Sequence, residues 1–253
     1  MIEELRLRLQ ALQRPPGIDD DPGVLPLGVE TIDGALGGGL ARGALHEIAA
    51  SGEAHVASAA GFVLGLSSLG NSAGKGEVVW VAEDMTLTES GEPYGPGLEA
   101  FGLRPERLVT VQAARTHDLL WAMEEALRCR AVATVIGEMR EGEIDGVAVR
   151  RLSLAAAESG ALALLLRATP PTDASTAATR WIVGASPSPG GGRSPSEARR
   201  GGVTFAVSLI RNRRGPTGSW ILQWSDIDER FLLATHAQPV AAPLLDRPHR
   251  QVA

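Results

Sequence analysis

The 253-residue chain contains one cysteine, Cys129, and one lysine, Lys75. A single cysteine excludes an internal disulfide framework and fits a reducing compartment. Cys129 follows Leu127 and Arg128 in a helical pattern, which suits a structural or surface thiol rather than a nucleophile. With lysine almost absent, the basic side chains are arginines, whose planar forks suit carboxylates, phosphates and protein interfaces. Positive charge is in deficit overall. The 24 basic residues against 30 acidic ones leave a net charge of −6, so no global positive field draws the protein to nucleic acid. No apolar run reaches the ~18 residues of a membrane-spanning helix. The opening residues, MIEELRLRLQALQ, are charged from the outset and lack a signal region, so a cytoplasmic protein without membrane contact is expected. His46, His55, His117, His236 and His249 are scattered, and no His/Cys/Asp group has metal-ligand spacing. No G-x-S-x-G elbow marks a serine nucleophile.

What the chain does contain is an ordered alternation. Ile2, Leu5, Leu9 and Leu12 recur at helical spacing, and Pro15, Pro16 and Gly17 end that helix before the solvated Asp19–Asp21 linker. Alone, so short a helix is marginal; it docks either on its own domain or, swapped, on a neighbouring subunit. Residues 1–23 are therefore set apart. From 24 to 235 runs a core with strand candidates Ala44–Ile48, Glu77–Ala82, Leu108–Gln112, Ala131–Ile136, Ala161–Arg167, Trp181–Ala185, Val203–Arg211 and Ser219–Trp224. Helix candidates are Ala54–Leu69, Gly97–Phe101, Thr116–Cys129 and Asp145–Ser159. This alternation predicts an α/β fold with a mostly parallel twisted sheet flanked by helices. The later strands follow one another closely, which predicts C-terminal antiparallel hairpins. Thr86–Pro96 reads as irregular. Ser186–Gly202, rich in Gly, Pro, Ser and Arg, buries no core and reads as mobile. Residues 236–253, punctuated by Pro239, Pro243 and Pro248, read as a flexible tail.

Between the first core strand and the next helix stands AASGEAHVA. An α/β nucleotide site would place Gly-x-x-x-x-Gly-Lys-Ser/Thr there, its amides wrapped around a phosphate. Aligned on the strand, the second glycine falls at His55, the lysine at Val56 and the Ser/Thr at Ala57. Valine cannot neutralise β/γ-phosphates, alanine offers no hydroxyl to Mg²⁺, and an imidazole fills space that glycine leaves open. The loop Ser51, Gly52, His55, Val56, Ala57 thus reads as a degenerate P-loop in preference to a remodelled ligand site using His55. No cofactor is expected. Gly70–Gly76, GNSAGKG, contains Gly-Lys, but it follows a helix and precedes a strand. A phosphate loop needs the reverse order, so this reads as an αβ turn with glycines at positive φ.

Several segments together resemble a RecA-type core over roughly residues 24–225. Leu36–Gly43, LGGGLARG, followed by a strand through Glu47-Ile48, resembles the approach to a P-loop. Val79-Trp80-Val81-Ala82-Glu83 resembles the strand that ends in a water-activating glutamate, with Asp84 beside it. Thr116–Cys129 leading into Ala131–Glu138 resembles the approach to a Walker B strand, with Glu138 near its acidic position. Ile210–Gly218, IRNRRGPTG, resembles the basic hairpin of RecA-like and hexameric-helicase cores. Within RecA-like proteins the pattern is similar to the ImuA family, in its size, its short N-terminal helix, its eroded P-loop and the Arg180-Trp181 pair before a Pro/Ser/Gly-rich segment.

The resemblance implies a non-enzymatic accessory protein of damage-induced (SOS) mutagenic translesion synthesis, cytoplasmic and nucleoid-associated after damage. It implies binding to ImuB, a Y-family polymerase homologue, with an error-prone replicative-type polymerase and RecA as further partners. Glu83 and Glu138 become relics, caps or ion-pair partners, since no bound Mg-ATP waits for them. Arg211, Arg213 and Arg214 form the strongest basic cluster. In an extended strand Arg211 and Arg213 face one side, and interface use is preferred to a solvated edge. The segment with Arg193, Arg199 and Arg200 falls where RecA proteins keep a DNA-binding loop. With Arg180 for phosphate and Trp181 for stacking, weak single-stranded DNA contact is the most it supports, and Trp181 reads equally as core. Leu244-Leu245 is a candidate hydrophobic anchor for the partner. Two alternatives stand beside this reading: a divergent RecA/RadA-like DNA-stimulated ATPase using ATP and Mg²⁺, which Glu83 and Arg211/Arg213 favour, and a SulA-like inhibitor of cell division. Oligomeric state is left open.

Overall fold

The structure, a computed structural model, describes residues 23–71, 76–140, 144–172, 175–187 and 202–234. A two-residue strand, β1 (Val24–Leu25), and a short helix, α1 (Glu30–Ala35), precede β2 (Leu40–Ala41), which pairs back on β1. Six strands then form the frame: β3 (Ala44–Ala50), β4 (Glu77–Glu83), β5 (Leu108–Ala113), β6 (Val132–Met139), β7 (Leu162–Arg167) and β8 (Thr179–Ala185). They are interleaved with α2 (Val56–Asn71), α3 (Asp84–Ser90), α4 (Gly95–Ala100), α5 (Thr116–Leu127) and α6 (Gly146–Ser159). β9 (Thr204–Asn212), β10 (Gly218–Ser225) and β11 (Arg230–Leu233) complete the sheet. The strand order is β11-β10-β9-β8-β3-β7-β6-β4-β5. β3 to β8 run parallel and β9 to β11 add an antiparallel edge, as the alternation predicted.

Why these runs make a parallel sheet follows from their burial. LALLLR in β7 is buried at every position, and LHEIAA in β3 at all six. A strand covered on both faces needs no polar side and reads as a continuous apolar run. One face carries Ile48, Trp80, Ile136 and Leu164 onto α2, around an aromatic cluster of Phe62, Trp181, Phe205, Trp224 and Phe231. The other carries Leu45, Val79, Val135 and Leu165 onto α5 and α6, against Leu119, Met123 and Leu152. Neighbours such as Val79 and Trp80 go to opposite layers because side chains alternate along a strand. α2 approaches the aromatics closely: a Cβ on Gly65 would lie 2.5 Å from a ring carbon of Phe231. α6 is bounded by its own sequence. The Asp145 carboxylate accepts from the Val147 N–H (3.1 Å), and Gly160 closes the helix in the left-handed region.

Several buried polar groups in the middle of the sheet are joined to one another, while the Thr134 hydroxyl in β6 has no hydrogen-bond partner. Trp181 Nε1 donates to Thr179 Oγ1 (2.8 Å), and Thr179 is 2.8 Å from His46 Nδ1. His46 Nε2 is 2.8 Å from the Ala41 carbonyl. An Nε2–H tautomer makes this one unbroken chain of donors and acceptors. Beside it, Arg180 Nε donates to Glu47 Oε2 (2.6 Å) and Ser175 Oγ to Glu47 Oε1 (2.5 Å).

Two expectations need correction. Thr86–Pro96 is not irregular throughout, since α3 covers Asp84–Ser90. Its threonines are poor helix formers, but Thr86 is buried, Leu87 packs on the core, and Gly91 at φ +78° ends the helix. The following helix starts at Gly95 rather than Gly97. GNSAGKG does join a helix to a strand, between α2 and β4, and Gly76 has φ +109°. The N-terminal helix and the 236–253 tail lie outside the described residues.

Candidate functional site

Parallel strands deliver their C-terminal ends to one edge of the sheet, where α/β ligand sites gather. At that edge lie the 51–55 loop after β3, Glu83 at the end of β4, Arg115 and Thr116 after β5, and Arg140 after β6.

The loop is fastened to β8. The Ser51 N–H donates to the Val183 carbonyl (2.8 Å) and the His55 N–H to the Gly52 carbonyl (2.9 Å), closing a 3-10 turn over Glu53–His55. His55 Nδ1 accepts from the Ala185 N–H (3.2 Å). A Cβ on Gly184 would lie 2.8 Å from Ser51 Oγ, so strand and loop are in close contact. The imidazole therefore occupies a structural position across the loop. Glu53 stands exposed in the turn that leads into α2, a negative charge where phosphate loops present amides. Val56 and Ala57 line a groove beside α2.

Glu83 and Glu138 have separate hydrogen-bond partners. Glu83 Oε1 accepts from Thr116 Oγ1 (2.6 Å) and Oε2 from the Arg140 N–H (3.4 Å), tying β4 to the start of α5 and the end of β6. Glu138 aligns with Ala82, one residue short of Glu83, and belongs to the α2 side, where Trp80 Nε1 donates to its Oε2 (2.9 Å). Burial raises the Glu138 pKa above the usual carboxylate range, against the Trp80 hydrogen bond and the nearby Arg140 charge, which lower it. Two cavities open here. One, of about 570 Å³, has Glu53, Glu83, Glu89, Arg115, Thr116 and Arg140 in its lining. The other, of about 540 Å³, runs between α2 and α4 and takes in Trp80 and Glu138. Glu53 and Arg140 line both. Arg140 is itself held by Glu89 (2.8 Å) and Ser90 (3.2 Å).

Arg180 and Trp181 lie elsewhere. Arg180 is 7% exposed and paired with Glu47, and Trp181 is fully buried against Phe62. The expectation that Arg180 presents a phosphate contact is corrected, since register puts it opposite Glu47, and of the two readings of Trp181 the core is the one that holds. Arg211, Arg213 and Arg214 belong to the opposite edge of the sheet. The Arg213 N–H bonds the Ala178 carbonyl, ahead of β8, so the hairpin lies far along the strands from the 51–55 loop. β9 ends at Asn212, so the two-residue alternation does not reach Arg213. Asn212 organises the turn. Its Nδ2 donates to the Ala35 (2.8 Å) and Pro216 (3.0 Å) carbonyls, and its Oδ1 accepts from the Arg214 N–H (3.0 Å). Arg193, Arg199, Arg200, Leu244 and Leu245 lie outside the described residues. Trp80, Glu53, Thr116 and Arg140 were not singled out from sequence. Arg140 carried a signal, since it follows a buried strand at the edge where sites gather. Trp80 carried none, because the register that sets it beside Glu138 is long-range.

Among the described residues, no helix is long and apolar enough to cross a membrane, and no group of three or more His, Cys, Asp or Glu is placed to hold a metal ion. No protein-family model matches the chain. The crystal structure of the RadB recombinase superposes with a TM-score of 0.52 at 16% identity, covering 80% of this chain and 97% of that one. The likeness shows the fold, a RecA/RadB-like core. Protein ImuA of Caulobacter vibrioides, from strains NA1000 / CB15N and ATCC 19089 / CIP 103742 / CB 15, is 32% identical over 214 residues, spanning 79% of this chain and 83% of that protein. At that identity over most of both lengths, and with the core that the sequence pattern required, the chain belongs to the ImuA family.

Proposed function

We propose that the chain is a non-enzymatic accessory protein of damage-induced mutagenic translesion DNA synthesis, working by binding an ImuB-type polymerase partner. The error-prone replicative-type polymerase and RecA are further partners in this reading, and the protein moves to the nucleoid after damage. The observation that carries it is the 51–57 junction. His55 is engaged with Ala185, Glu53 adds negative charge to the turn, and Val56 and Ala57 stand where a phosphate site needs an ammonium and a hydroxyl. Such a core offers surfaces rather than phosphate chemistry. Two measurements test the reading. A fluorescent ATP analogue with Mg²⁺ is expected to show no saturable binding, with or without single-stranded DNA. Removal of residues 236–253, with Leu244 and Leu245, is expected to abolish ImuB binding while leaving the core melting unchanged. Saturable nucleotide binding would instead favour a divergent RecA/RadA-like ATPase. Glu83 beside the 570 Å³ cavity is the feature that supports that second reading, and Glu83→Gln would then be expected to stop hydrolysis.

A further inference from the structure

The groove between α2 and α4 has a composition of its own. Val56, Ala60 and Leu64 line it from α2, Leu98 and Phe101 from the α4 segment, and Trp80 from the sheet. Its volume of about 540 Å³ lies within the range of sites that enclose a ligand. Its charges are unequal. Glu53, Glu92 and Glu138 face it with Arg140 as the one cation among the described residues of its lining, and Arg140 is engaged by Glu89 and Ser90. Glu138 is set among apolar side chains with its carboxylate turned by the Trp80 N–H. Arg140 lies near enough to act on it, but the Arg140 guanidinium is shared with Glu89 and Ser90, so the groove keeps an excess of negative charge. The occupant that fits is therefore cationic at one end and apolar along its stem.

We propose that this groove binds an arginine side chain of a protein partner, its methylenes on the α2 and α4 walls and its guanidinium on Glu138. Arginine fits better than lysine. Its fork matches a pre-oriented carboxylate, and its weaker hydration tolerates apolar walls and the aromatic rim supplied by Tyr94 and Phe101. A nucleotide fits poorly, because the lining carboxylates repel phosphate. Val56 and Ala57, which remove the means of holding phosphate, here supply apolar wall. The inference rests on the cavity and does not require the cellular role proposed above.

The test uses the full ¹⁵N-labelled chain and follows the Trp80 indole N–H by NMR. The probes are acetyl-Leu-Arg-Leu-amide and the same peptide with citrulline, the uncharged isostere of arginine. The arginine peptide is expected to move the Trp80 signal saturably, with the citrulline peptide weaker by about tenfold. Glu138→Gln keeps an acceptor for Trp80 and is expected to bring the arginine peptide to the citrulline level. Ala60→Phe, which fills the groove from α2, is expected to abolish both responses in a chain whose melting is unchanged. Equal binding of the two peptides, an arginine preference surviving in Glu138→Gln, or a still Trp80 signal would each overturn the proposal. So would Mg-ATP moving that signal where the peptide does not, because the groove would then be a nucleotide pocket.

Discussion

Glu47 and Glu138 are carboxylates on parallel strands of one sheet, in opposite circumstances. Glu47, at 2% exposure in the middle of β3, has both oxygens engaged, by Arg180 and Ser175. Glu138, at the end of β6, has Trp80 on one oxygen, carries a raised pKa and lines a cavity. In the middle of the sheet Glu47 has both oxygens answered, whereas at the C-terminal edge Glu138 leaves charge facing open space. Complete sets hold the fold together; incomplete ones at a strand edge are where a ligand has something to add. By this measure Arg180, which looked functional in sequence, is structural, and Glu138, which looked like a relic, faces a usable groove.

The sharpest way to break the contrast is at Arg180. Arg180→Met leaves Glu47 buried with Ser175 alone, and removing one partner of a buried pair costs about 3–5 kcal/mol. Chemical denaturation is expected to show a loss of that size, most of it regained in a Glu47→Leu, Arg180→Met double variant. A single variant within ~1 kcal/mol of the parent would mean that water answers Glu47, and the two carboxylates would not differ in kind.

His46 tests the same closed region through pH. Burial lowers its pKa from 6.5 to about 4, although the Ala41 hydrogen bond opposes this. In this interval the unfolded chain holds a proton that the folded chain does not. Stability is thus complete above pH 6.5 and is lost as pH falls toward 4. At 1.36 kcal/mol per unit the loss amounts to about 3 kcal/mol. Melting of the wild type across this range is expected to fall more steeply than that of His46→Gln. Parallel curves would assign the acid sensitivity to carboxylates instead.

Much of this was legible in sequence where both faces of a strand are buried. GALHEIAA, EVVWVAE and LALLLR announce themselves because parallel strands between helices need no polar face. The helix read as Asp145–Ser159 matches α6, which the structure shows capped by Asp145 and Gly160. What was illegible is long-range. Arg180 meets Glu47 across 133 positions, Trp80 meets Glu138 across 58, and neither spacing leaves a periodic trace. α3 was missed because its helical state comes from Thr86 and Leu87 packing inward rather than from propensity. That His55, Val56 and Ala57 stand at the 51–57 junction was readable in sequence, but the His55–Ala185 hydrogen bond that fastens the loop depends on β8, far along the chain.

The smallest expected effect sits at the open edge. Desolvation raises the Glu138 pKa, so the carboxyl group costs nothing while protonated and becomes a burden as pH rises through its folded-state value. Glu138→Gln removes that burden and keeps an oxygen for Trp80. Near neutral pH the variant is expected to equal or slightly exceed the parent in stability, with the difference vanishing in acid. The contrast with Arg180→Met is then one of sign as well as size, since removing charge from the Glu47–Arg180 pair destabilises the protein while removing it from the edge does not. A marked loss of stability in Glu138→Gln at neutral pH would place Glu138 in the same class as Glu47, and the edge would be as closed as the middle.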